Sequence, residues 1–162
     1  MKSQSELQCV QAFITNQYSK CIDVGLSILS SGATDVIAQL VLISCQRMGE
    51  TSKAEQLGAD AVLATAALPW TQLLLKLTLG QVKLEDALRH AKDEKQRCAA
   101  QFYAGARLMT LGMLSGSLLG RESISQDYLC DACTIFDACL ATEAHCEEYL
   151  LAKAQRSCLQ TK

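Results

Sequence analysis

Apolar residues recur along most of this chain at the three-and-four spacing of one helix face. Ile37, Leu40, Val41, Ser44, Cys45 and Met48 form one such run, and Ala54, Leu57, Gly58, Ala61 and Val62 the next. Leu84, Ala87, Leu88 and Ala91 repeat the spacing. So do Cys98, Phe102, Gly105 and Met109, and after a longer break Leu129, Ala132, Cys133, Phe136 and Leu140. Trp70 to Leu79 reads as a helix with Pro69 in its first turn, where the missing N–H costs nothing. Leu7, Val10 and Phe13 mark a first helix, and Tyr18 to Leu29 its partner. Ser3 with Glu6, Ser52 with Glu55, and Ser123 with Gln126 have the spacing of capping pairs, which predicts three helix starts. Thr142 predicts the N-cap of a last helix, Glu143 to about Cys158.

Helix-ending residues punctuate this pattern. Asn16, Gly49, Gly80 and Gly112 are separated by 33, 31 and 32 residues. Gly and Asn tolerate the left-handed backbone that follows a helix C-terminus, so the interval predicts a repeated helix pair. One pair cannot bury its apolar face alone, whereas stacked pairs share a continuous core. The expectation is four antiparallel pairs and a terminal helix. Met113 to Glu122 interrupts the period and holds Gly116 and Gly120 without a helical stripe. It is expected to be a poorly ordered insertion.

Composition supports this. Leu and Ala supply 25 and 21 residues, against 13 for Val and Ile together, which favours helix over strand. At 162 residues the chain, 1–162, is expected to form a single domain. A formal charge of −2 with no basic stripe gives nucleic-acid binding no visible source. The start MKSQSELQCV lacks an apolar signal core, and the run Ala61 to Leu75 is too short to cross a bilayer. A cytoplasmic, reduced protein without membrane insertion is expected.

The same segments resemble tetratricopeptide repeats, whose period is ~34 residues. VLISCQRMGETSKAEQLGADAV has Gly49 in its turn, then Ala54 and Ala61; FYAGARLMTLG has Gly105, Leu108 and Gly112. CDACTIFDACL places Ala132, Phe136 and Cys139 at small, large and small positions. The resemblance implies an all-α, right-handed superhelix of antiparallel helix pairs, a TPR-like α-solenoid of about four degenerate pairs plus a C-terminal capping helix. It also implies a concave face lined by the first helix of each pair. Aligned on the punctuation, that face holds Gln39, Trp70 and Phe102, then Ile43 and Leu74, then Gln46 and Met109, with Arg47 beside them. These rows are apolar. A clamp for acidic tails would need further Lys and Asn residues around Arg47, so that ligand is not expected.

Nine cysteines offer chemistry of their own. Cys130 and Cys133 form a CxxC, followed by Cys139, His145 and Cys146. Zinc usually takes such a pair from a tight turn, and this one lies within a helical stripe, so buried structural thiols are the better reading. Neither His90 nor His145 stands in a catalytic pattern, and no nucleophile elbow or phosphate loop is present. No metal or cofactor is expected, and no enzymatic activity. The function expected is a protein-interaction adaptor that binds a peptide or helix in an apolar groove. The alternatives are a small secretion-type chaperone of the tetratricopeptide kind, and a thiol or metal redox protein using Cys130 and Cys133. A second copy of the chain is a further candidate partner.

Overall fold

The computed structural model describes residues 3–30, 35–65 and 67–160, with only the backbone of Leu118 and Leu119. Among them are nine α-helices and no strand: α1 (Gln4–Ile14), α2 (Tyr18–Leu29), α3 (Asp35–Arg47), α4 (Thr51–Ala64), α5 (Pro69–Thr78), α6 (Leu84–His90), α7 (Glu94–Leu119), α8 (Glu122–Ala141) and α9 (Glu147–Gln160). They fall into two compact units, Met1–Thr71 and Gln72–Lys162.

In the first unit α3 packs against α1, α2 and α4. Neighbours on several sides explain why α3 is buried nearly all round, from Ile37 to Arg47, rather than along one stripe. Gly25 of α2 lets α3 come close, since a Cβ there would collide with Val41. Across the α1–α2 turn the chain closes with Gln17 N–H donating to the Ala12 carbonyl at 2.8 Å, and Asn16 takes φ +58°. Gly49 does the same after α3, at φ +74°, with Glu50 N–H donating to the Cys45 carbonyl. Both turns close as Schellman motifs do, with a left-handed residue satisfying carbonyls the helix leaves open.

The second unit is dominated by the α7–α8 hairpin, with α6 on α7 and α9 on both long helices. Gly80, at φ +75°, ends α5 with the closure seen at Asn16 and Gly49, here Gln81 N–H to the Lys76 carbonyl. Asp93 caps α7 by accepting from Gln96 N–H at 2.8 Å. The core holds Phe102, Tyr103 and Phe136, with Phe102 tilted against Phe136 at 6.3 Å and edge-on to Tyr103 at 5.0 Å.

Several sequence expectations are corrected here. Gly112 does not end a helix, and Met113 to Glu122 is not an irregular insertion: α7 runs unbroken to Leu119. Gly105, Gly112 and Gly116 face α8, where added Cβ atoms would press on Phe136, on Leu129 and on Ser125. They allow close helix approach, and the break is Gly120, at φ +60° with open space around it. The interval after Gly80 is therefore 40 residues rather than 32. Ser3 and Glu6 do form a reciprocal capping box at 3.2 and 2.7 Å. Ser52 and Ser123 do not cap, because α4 and α8 start before them at Thr51 and Glu122. Thr142 closes α8 instead of opening α9, donating to the Cys139 carbonyl at 2.7 Å, and α9 starts later, at Glu147.

Candidate functional site

The residues expected to line a groove are divided between the two units. Gln39, Ile43, Gln46, Arg47 and Trp70 belong to the first, and Leu74, Phe102 and Met109 to the second. Gln39, Ile43, Arg47, Leu74, Phe102 and Met109 are buried, while Gln46 and Trp70 keep part of their surface. The Gln46 side-chain oxygen has no hydrogen-bond partner among the described residues.

Burial of Arg47 has a clear cause. Its guanidinium carbon lies 5.2 Å from the centre of the Phe13 ring and 5.3 Å from that of Tyr18. Its Nη1 donates to the Tyr18 hydroxyl at 2.8 Å, and that hydroxyl donates to Asn16 Oδ1 at 2.7 Å. A cation removed from water is held by two ring faces and a hydrogen-bond chain that reaches the α1–α2 turn. Arg47 thus braces α3 against that turn, and Phe102 fills the aromatic core of the second unit.

Trp70 has a different setting. It follows Leu68 and Pro69, which are exposed, and Leu63 near the end of α4 is 75% exposed with Leu68 at 51%. Leu68 N–H donates to the Thr65 carbonyl at 2.8 Å, so the chain turns tightly between α4 and α5. This short stretch of the first unit presents three large apolar side chains to solvent, in whole or in part.

The expected burial of the CxxC pair, Cys130 and Cys133, is corrected by the structure. All nine cysteines are free. Cys130 is exposed, accepting from Gln126 Nε2 at 3.8 Å, and Cys133 is partly buried. The structure instead joins cysteines across helix pairs. Cys9 of α1 and Cys21 of α2 are buried with their sulfurs 3.6 Å apart. Cys98 of α7 and Cys139 of α8 are buried at 3.0 Å. The hydrogen bond between Cys9 and Cys21, then burial, push the Cys9 thiol far above its ordinary range; the same bond, with help from Ser44 and Arg47, lowers Cys21 against the opposing effect of burial. Hydrogen bonding to Cys139, then burial, raise Cys98. Burial, partly offset by the Tyr149 backbone, pushes Cys146 up to about 12. Sequence spacing concealed both pairs, since their members lie 12 and 41 residues apart and meet only through helix packing.

His90 and His145 are both exposed. Among the described residues no group of three or more His, Cys, Asp or Glu side chains is arranged to hold a metal ion, and no helix is long and apolar enough to cross a membrane. Compared with family models, curated proteins and solved structures, the chain matches none.

Proposed function

We propose that the chain is a non-enzymatic interaction module that binds an apolar peptide or helix of a protein partner at the stretch of its first unit from Leu63, near the end of α4, to Trp70. The observation that carries this reading is the exposure of Leu63 and Leu68, close in sequence to the partly exposed Trp70. Apolar side chains crowded into a few residues favour association, and tryptophan is a frequent interface anchor. Of the eight residues expected at a groove, Trp70 belongs to this stretch, and six are buried. In this reading the helix pairs belong to a tetratricopeptide-like right-handed stack. Support for that comes from the common turn at Asn16, Gly49 and Gly80.

The test is recovery of partners from the native organism by the parent, Leu63→Glu and Trp70→Ala, with melting temperatures measured in parallel. A specific partner should be held by the parent and lost by Leu63→Glu at unchanged stability. Trp70→Ala should weaken that partner by about 2 kcal/mol, the scale of an interface hot spot. Trp70 is the chain's one tryptophan, so its emission reports its surroundings directly. Fluorescence that is strongly blue-shifted and closed to quenchers, or a partner retained by both variants, would sink the reading.

A further inference from the structure

The second unit contains a third thiol beside its buried pair. Cys98 and Cys139 have no solvent exposure, their sulfurs are 3.0 Å apart, and the Cys139 thiol also donates to the Cys98 carbonyl at 3.3 Å. Cys146, just before α9, is only partly buried, and its thiol interacts with that of Cys98. Cys98 therefore has a buried partner thiol on α8 and interacts with a second, less buried thiol on the approach to α9. The helices that carry the pair cannot drift apart easily, because Phe136 lies directly on Gly105 across the same seam. The pair in the first unit, Cys9 and Cys21, is also buried but its sulfurs are 3.6 Å apart, so it serves as an internal comparison.

We propose that Cys98 and Cys139 are a reversible disulfide-forming site, oxidised by a small-molecule disulfide of the glutathione type that enters through Cys146. The Cys146 thiol, which burial keeps protonated at neutral pH, must first lose its proton to solvent; its sulfur then attacks one sulfur of the small disulfide, forming a mixed disulfide and releasing one small thiolate, which takes up a proton. Cys98, giving up its proton, attacks the Cys146 sulfur; a Cys98–Cys146 bond forms and the second small thiol leaves. Cys139 then attacks Cys98, forming the Cys98–Cys139 bond and returning Cys146 to a thiol. In total one small disulfide is reduced to two thiols while two protein thiols lose two electrons and two protons. The product ties α7 to α8 across 41 residues of chain, a span over which a crosslink strongly restricts the unfolded state.

The folded, reduced chain is incubated with oxidised glutathione, quenched in acid and mapped by mass spectrometry without reduction. The expected product is a Cys98–Cys139 crosslink, with two glutathione thiols released per crosslink and a melting temperature raised by several degrees. Cys146→Ser should form it at least tenfold more slowly, and Cys139→Ala, folded by circular dichroism, should stop at a Cys98–Cys146 crosslink. Should Cys139→Ala fail to fold, the parent map and the Cys146→Ser rate decide the matter. A glutathione adduct on Cys146 with Cys98 and Cys139 still free would overturn the proposal. So would Cys9–Cys21 crosslinking first, or an undiminished rate in Cys146→Ser.

Discussion

Arg47 shows how one side chain's role follows from what surrounds it. On α3 it could equally have been a groove cation or a strut, and sequence spacing alone places it beside a groove row. Two features decide for the strut: rings from Phe13 and Tyr18 on its faces, and a bond to the Tyr18 hydroxyl. A desolvated cation–π contact is worth about 2 kcal/mol and a hydrogen bond to a charged group about 1.5–3 kcal/mol. Arg47→Ala should therefore cost about 3 kcal/mol or more in urea denaturation. Arg47→Lys should recover only part of it, because an ammonium cannot present a flat face to two rings while reaching Tyr18. A variant as stable as the parent would return Arg47 to the surface. The aromatic partners were legible as apolar positions, Phe13 on its own helix stripe and Tyr18 at a helix start. Their convergence on Arg47 was not, because it depends on how α1, α2 and α3 cross.

At the scale of helices, glycine carried two opposite meanings that periodicity could not separate. A glycine with positive φ ends a helix, and one inside a helix lets another helix approach. Gly49 and Gly80 are of the first kind, and Gly105 and Gly112 of the second. The interval of 32 residues made Gly112 look like punctuation, yet its distance from Gly105 is also two helical turns, which puts both on one face of α7. Gly112→Leu should destabilise by about 1–3 kcal/mol, since Leu129 and the Ser125 carbonyl already occupy the space. Gly120→Ala has room for its methyl group but must hold a left-handed backbone, at a cost of about 1–2 kcal/mol. Hydrogen exchange gives an independent check: amides from Met113 to Ser117 should be protected like those of a continuous helix. Fast exchange across that stretch would restore the insertion. Helix identity was legible almost to the residue where patterns were strong, as for α2 and α5. Starts that rested on a serine alone were not, because a cap depends on where the preceding chain enters.

For the molecule as a whole, the thiols make stability depend on pH under reducing conditions. Hydrogen bonding to Cys139, followed by burial, raises Cys98, and burial raises Cys146 to about 12. Unfolded, each thiol returns to about 8.5. Above that pH the unfolded chain loses protons that the folded chain keeps, so each raised thiol favours unfolding as pH rises. Its contribution to stability is complete below about pH 8.5 and is lost toward the folded value, with a slope approaching 1.4 kcal/mol per pH unit. Cys21 is lowered, chiefly by its bond to Cys9, and acts in the opposite sense within the first unit. The parent's urea midpoint should therefore fall between pH 7.5 and pH 9.5, taken as about one unit either side of the free-thiol value. Cys98→Ala should fall less steeply over the same range, because one raised thiol is gone. Equal slopes in parent and variant would mean that Cys98 is not held neutral by its neighbours. That would remove the tight contact with Cys139 on which the disulfide site depends. The dependence was not readable from nine cysteines in a reduced chain, since burial of the sulfurs arises from helix packing and their pairing from the seam that Gly105 and Phe136 hold closed.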